Sequence, residues 1–524
     1  MEKRIIIAAA LSVFLIILWG YFNPMAQKGK QTVPPVKPPV KKVLSKSPVQ
    51  KASEPSPITH VKTGVPSAAP SLTVSKSLVS SQGISYQGDN FLAGFATPGG
   101  GIDELRLSKY SYTEKDLKNK VNLANSIKKI KVLDFIPSKN HPLLRLLNIT
   151  KKSNSIDYTY KAGGNLILEK EYKFSNGKYI LSNNIIIKNL SGRPVVFKGN
   201  YVFSSRLKPS SNSQNFINLK PVVYLNNKQL TPAIAGTAQY SGNISFAGFD
   251  SKYFLFSFLN PGPKISAKKT GNVITFSVPE KVVVDPGKTA KITLDIFAGP
   301  KKLSLLNQAG HNLNSTLSFG FFGFFSVFLL HMLEFFYGFV HNYGIAIILL
   351  VLVIRIIFYP LTYVGFKSMR QMQKLTPKIN EAREKYKDDK AELNRKIMEL
   401  YKEGRVNPFG GCLPMILQIP VFWALYMTLL VAIQMRNAPF AFWITNLAVQ
   451  DPYYVLPILM GITMFLSQKM NPTIGDPTQA KIMLVLPLVF TFLFIHFPAG
   501  LLLYWTVNNI LTIAQQYVIN KKFA

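Results

Sequence analysis

Arg355 is the residue around which any chemistry in this sequence has to be argued. It sits in YGIAIILLVLVIRIIFYPLTY (343–363), a run that carries no other charge. About eight residues separate it from the polar stretch that follows, or about 12 Å of helix. Half the hydrocarbon thickness of a bilayer is about 15 Å, so a straight helix would hold the guanidinium short of bulk water. A central arginine costs roughly 2.5–3.5 kcal/mol on insertion scales. An acidic partner is the usual remedy, but the apolar runs 412–433, 452–468 and 482–519 contain neither Asp nor Glu. Uncharged polar side chains are there instead: Gln418, Thr463, Ser467, Asn508, Asn509, Thr512 and Gln515. Asn508, Thr512 and Gln515 follow i, i+4, i+7 and share one helix face. A cation solvated only by such groups and by water implies a wet, positive groove that would attract carboxylates. The competing reading is that Pro360 ends the helix early, so that Arg355 reaches the headgroups as an anchor.

Other chemistry is poorly provided for. A single cysteine, Cys412, excludes an intrachain disulfide and any multi-cysteine metal site. HMLE (331–334) lacks the second histidine of a zinc motif, and there is no GxSxG. GKT (287–289) resembles the end of a phosphate loop, but Val282 stands where its first glycine is required, and DPGKT reads as a β-turn. His141 has no nearby carboxylate pattern, and His496 and Cys412 read as packed helix residues. No enzyme activity, metal or cofactor is expected.

The elements that must position Arg355 are those of a membrane protein. Only 16% of the 524 residues are charged, against roughly 25% in ordinary soluble domains, yet the formal net charge is +36. An 18-residue apolar run, 5–22, follows Lys3 and Arg4 and is read as a retained anchor (1–22) with a cytoplasmic N-terminus. Residues 23–75, rich in Pro and Lys, form a linker. Residues 76–318 show short β-rich runs broken by turn signals, such as Asn176, Gly177, Asn226, Asn227, Pro286 and Gly287, and predict a large antiparallel sandwich. The net charge over 5–318 is +27 (41 Lys+Arg less 14 Asp+Glu), which suits solubility or attraction to an anionic outer surface. Helical spans are predicted at 343–363, 412–433, 452–468, 482–497 and 499–519, the last two dividing at FPAG (497–500). The 364–411 connection holds 12 Lys/Arg and 7 Asp/Glu, whereas 434–451 holds only Arg436 and Asp451. The positive-inside rule therefore places 364–411, the 469–481 loop and the 520–524 tail in the cytoplasm, and residues 23–342 and 434–451 outside. That leaves six spans, with 319–340 lying along the outer interface as an amphipathic helix. Residues 364–406 read as a helical hairpin turning near Asp388 and Asp389. Its apolar stripes are Ile379 and Tyr386 on one arm, and Leu393, Ile397, Leu400 and Tyr401 on the other.

Four strings carry a specific resemblance: IRIIFYPLTYVGFKSMRQMQKLTPKI (354–379), NPFGGCLPMILQIPVFWALY (407–426), DPYYVLPILMGITMFLSQKM (451–470) and FPAGLLLYWTVNNILTIAQQ (497–516). The chain resembles the YidC/Oxa/Alb family of membrane protein insertases over about 335–522, and its anchor and external β domain resemble the Gram-negative form in layout. The resemblance implies a five-helix core with a hydrophilic groove, closed outside and open to cytoplasm and lipid, in the bacterial inner membrane. Arg355 falls at the family's groove arginine. Phe422, Met460, Tyr504 and Trp505 fall where the family contacts substrate along an apolar slide, although Trp505 departs from the more usual tyrosine. The implied work is insertion and chaperoning of nascent membrane proteins, alone or with the Sec translocon. Ribosome contact would rest on 364–411, because only eight residues follow Gln516. The alternative function class is a transporter that uses the intramembrane arginine in a solute path.

Overall fold

The computed structural model describes residues 84–96, 99–112, 118–123, 133–138, 145–163, 165–175, 177–206, 219–404, 413–470 and 477–523. The expected anchor and linker, with His141, Asn176 and Cys412, lie outside these residues.

Among the described residues, 84–300 form two nine-stranded sheets packed face to face. All the pairings are antiparallel, so an antiparallel sandwich is present, over 84–300 of the stretch expected to form it. In one sheet Val195–Arg206 pairs along its whole length with Val273–Val284. In the other, Ile180–Asn189 lies between Leu166–Phe174 and Thr289–Pro300. Strict alternation drives the arrangement: every second residue of Leu166–Phe174 is buried. The core between the sheets is aromatic, with Phe203 against Phe249, Phe256 and Phe258 at centroid distances of 4.9, 4.2 and 5.2 Å. Turn chemistry closes the hairpins. Asn226 and Asn227 both take positive φ, as a two-residue type I′ loop requires. DPGKT is a turn, with the Lys288 N–H donating to the Asp285 carbonyl at 3.0 Å and Gly287 at φ +69°.

Eight helices beyond the short Leu303–Ala309 (α1) are described. They are α2 (Gly323–Val340), α3 (Tyr343–Ile357), α4 (Tyr359–Lys385), α5 (Lys390–Glu403), α6 (Leu413–Val431), α7 (Val455–Met470), α8 (Pro477–Phe494) and α9 (Ala499–Phe523). The α8–α9 break falls at FPAG. The hairpin is formed by α4 and α5, with Asp389 capping α5 by accepting from the Ala391 and Glu392 amides at 3.0 Å.

One expectation changes and another gains detail. The span predicted as continuous over 343–363 breaks at Phe358, and α4 leaves α3 at 64°. Pro360 is the cause: it has no N–H to return to the Ile356 carbonyl and its ring crowds that carbonyl, while Pro is well tolerated in the first turn of the new helix. Residues 319–340 were expected to form an amphipathic helix. It buries Ser326, Leu329, Leu330 and Leu333, but its other face is phenylalanine, with Phe321, Phe324, Phe328, Phe335 and Phe339 all exposed. His331 is exposed as well and Glu334 is half-buried, and by length and composition the helix could cross a membrane.

Helix α9 is the hub of the bundle. Polar bonds tie it to α3, α4 and α7, and it lies against α6 through aromatic contacts. At the end of the bundle where α3 and α9 begin, the loop joining α6 to α7 receives the Ala499 and Gly500 amides on its Val449 and Leu447 carbonyls, at 2.7 and 2.9 Å.

Candidate functional site

Arg355 lies in the last turn of α3 and is turned inward onto α9. Its Nε donates to Asn508 Oδ1 at 3.0 Å, and its Nη2 donates to the Asn508 carbonyl at 3.1 Å and to Thr512 Oγ1. Thr512 gives its own hydroxyl proton to the Asn508 carbonyl at 2.7 Å, which leaves its oxygen free to accept from Arg355. Gln418 Nε2, from α6, donates to Asn508 Oδ1 at 3.3 Å. A third helix thus joins the same cluster. Among the described residues no ion pair reaches Arg355, and its Nη1 makes no hydrogen bond. Arg355, Gln418, Asn508 and Thr512 are each half-buried, neither sealed in the core nor on the rim.

The cluster continues toward the hairpin. Gln515 Nε2 donates to Thr362 Oγ1 in the first turn of α4. Thr362 was not singled out in the sequence. It stands seven residues from Arg355 and therefore at a same-face spacing, but the intervening Pro360 hid the relation.

The remaining polar candidates sit elsewhere. Asn509 Nδ2 donates to Thr463 Oγ1 at 3.3 Å, with 8% and 9% of the two residues exposed, so this pair closes the α7–α9 seam instead of lining the cluster. The step of one residue from Asn508 to Asn509 turns the side chain about 100° around the helix, which is why the two face different partners. Ser467 lies half-buried one turn beyond Thr463 on α7, outside the Arg355 network.

Of the four apolar candidates, three form a contiguous aromatic group. Phe422 meets Trp505 edge to face at 4.9 Å and Tyr504 at 6.0 Å, and Trp505 also packs on Phe494 at 4.9 Å and Phe490 at 6.4 Å. The Tyr504 phenol lies beside Gln418, which links this group to the Arg355 cluster. Accessibility separates them: Phe422 and Trp505 are half-buried, whereas Tyr504 is 4% exposed and Met460 fully buried. Met460 and Tyr504 therefore offer no surface in this arrangement, because α7 and α9 pack directly on each other. Trp505, in the position where a phenol was expected, makes ring contacts only among the interactions described. Among the described residues no group of three or more His, Cys, Asp or Glu could hold a metal ion.

Family comparisons cover both halves of the chain. Residues 335–524 match the model described as 60Kd inner membrane protein, and residues 84–332 match the YidC periplasmic domain. The membrane protein insertase YidC of Geotalea daltonii is 37% identical over 99% of this chain and 99% of its own length. The chain belongs to the YidC family. The insertase YidC of Syntrophus aciditrophicus is 36% identical over the whole of both chains. A crystal structure of active YidC insertase with its first transmembrane domain resolved covers 84% of this chain and 93% of its own, at 18% identity and a TM-score of 0.38.

Proposed function

We propose that the protein is a membrane protein insertase and chaperone of the bacterial inner membrane. The observation that carries the mechanism is a half-buried guanidinium held only by uncharged groups on α9, next to aromatic side chains of α6 and α9. A client's acidic or polar end enters this cluster and is met by the charge of Arg355 and its unused Nη1, while the client's apolar stretch moves along Phe422 and Trp505 toward lipid. Release into the bilayer is downhill, at about 25 cal/mol per Å² of apolar area leaving water, so no nucleotide is required. The groove shortens the dry path for the polar end and so lowers the barrier.

Clients are nascent membrane proteins, received alone or with the Sec translocon, and the basic α4–α5 hairpin serves as the ribosome-facing surface. Six spans put both termini in the cytoplasm, and residues 23–342 in the periplasm. With this topology α2 lies at the outer interface, its phenylalanine face toward lipid. No feature of the site favours a solute path, and no bond-making chemistry is proposed. Site-specific photocrosslinking from positions 422 and 505 to a stalled nascent membrane protein tests the reading. Crosslinks to an apolar segment are expected, and their absence with an actively inserting client refutes the path. External labelling of a cysteine placed near residue 342 tests the topology.

A further inference from the structure

The loop between α6 and α7 does two things at once. It bonds the outer ends of three helices: Gln434 Nε2 donates to Glu334 of α2 at 2.6 Å, the Phe440 carbonyl accepts from Asn342 at the start of α3 at 2.8 Å, and Leu447 and Val449 hold the first turn of α9. The Phe440 ring lies so close over Gly344 that a Cβ there would overlap it. The loop is thus the cover over the outer end of the bundle.

The same loop also sends the side chains of Arg436 and Asn437 into the periplasmic domain. Arg436 Nη2 donates to the Ser111 carbonyl at 2.5 Å and to the Tyr112 carbonyl at 3.1 Å, and Asn437 Nδ2 reaches Ser111 O at 3.5 Å. The guanidinium also lies over the Phe254 ring, 5.4 Å from its centroid. Ser111 ends a strand of one sheet and Phe254 begins a strand of the other, so the arginine enters where the two sheets meet. It is 8% exposed and Ser111 5%. Charge-assisted bonds to carbonyls in a dry setting are strong and directional, and a planar guanidinium is suited to holding two carbonyls and a ring together. None of these contacts helps the helices pack on each other.

We propose that Arg436 is a positioning residue, a latch by which the periplasmic domain holds the outer cover shut over the Arg355 cluster. This rests on the reading of that cluster as a groove open to the inside. The periplasmic domain then acts as a brace on the cover, beyond any role in meeting clients.

The test uses the full chain with Cys412→Ser, in spheroplasts. In the first arm, Ser111→Cys with Asn437→Cys is oxidised. The pair is expected to crosslink, and adding Arg436→Ala is expected to lower the yield at least about tenfold, since loss of one charge-assisted bond is worth that much. In the second arm, Asn508→Cys is labelled from outside with a membrane-impermeant maleimide. The slow rate is expected to rise about tenfold with Arg436→Ala, to rise less with Arg436→Lys, and to return to its starting value when the Ser111–Asn437 disulfide is formed in the Arg436→Ala chain. That rescue separates loss of the latch from misfolding. An unchanged crosslink yield in Arg436→Ala overturns the latch; an unchanged labelling rate with the crosslink lost overturns the seal. Labelling of Asn508→Cys from the inside, in inverted vesicles, reports on the groove alone, so the two readings fail separately.

Discussion

Replacing Arg355 should discriminate among clients by charge. The guanidinium already spends Nε and Nη2 on Asn508 and Thr512, and its net charge is not cancelled by any carboxylate among the described residues. Two unit charges about 4 Å apart interact by about 1 kcal/mol in water and about 4 kcal/mol at an effective dielectric of about 20. A half-buried cluster lies between these limits, and a client carboxylate reaching Nη1 should gain about 1.5–3 kcal/mol. Arg355→Ala should therefore slow insertion of a client with an acidic outer tail about tenfold to a hundredfold. The same client with its acidic residues changed to Asn or Gln should be affected by much less. Arg355→Lys should retain most of the activity if a point charge suffices, and less if the planar fork on Asn508 also keeps α3 seated on α9. The assay is insertion into proteoliposomes of a matched series of clients with tail charges of zero, one and two, at two salt concentrations, because a partly exposed charge is screened. An equal loss across the series, or a loss independent of salt, would refute the electrostatic role and leave Arg355 as a structural peg.

Three further outcomes follow from packing and charge. Gly344→Ala drives a Cβ into the Phe440 ring and should destabilise the bundle by about 1–3 kcal/mol; Gly338→Ala, whose Cβ meets nothing within 4 Å, should leave the melting temperature in detergent unchanged or slightly raised. In the periplasmic domain, Lys170 is buried with its Nζ 2.6 Å from Asp134. Lys170→Met should cost about 3–5 kcal/mol by stranding the carboxylate, and the double change with Asp134→Leu should recover much of it, both read by denaturant unfolding. Asp250 is held above the usual carboxylate range by desolvation, which outweighs its 2.8 Å contact with Lys301. A raised folded value means that its contribution is complete below the unfolded value, near 4, and is lost as the pH rises through the folded one. Asp250→Asn should flatten that part of the stability profile, and an unchanged slope just above pH 4 would contradict the assignment.

Much of this architecture was legible in the residues because local signals and global demands agree. Alternation gave the sandwich, Asn226, Asn227 and Gly287 the turns that close it, and FPAG the break between α8 and α9. Arg355 stood out because a charge in an apolar run has no inexpensive local explanation, and Asn508 and Thr512 because helical spacing puts them on one side. What sequence could not provide was the rotation of α7 against α9. Asn509 and Thr463 are as polar as Asn508 and Thr512, yet a turn of one residue commits them to a seam. Met460 is likewise taken out of reach by a packing interface that no periodicity reveals. The Phe358 break was half visible: Pro360 marks it, but the proline could equally have freed Arg355 toward the headgroups. Only the position of Asn508 across the bundle separates the two outcomes. Arg436 was invisible in its role, since its partners lie more than 300 residues earlier in the chain.

The break at Phe358 also sets where the basic hairpin stands. A helix of 27 residues is about 40 Å long. Turned 64° from α3, it descends only about 18 Å along the direction of that span and runs about 36 Å sideways. With α3 upright, it becomes a shelf beneath the bundle, wider than it is deep. On the proposed topology, a polypeptide approaching from the cytoplasm would meet this ledge of lysine and arginine before it came near Arg355, and the angle at a single proline would decide how far out the first encounter takes place.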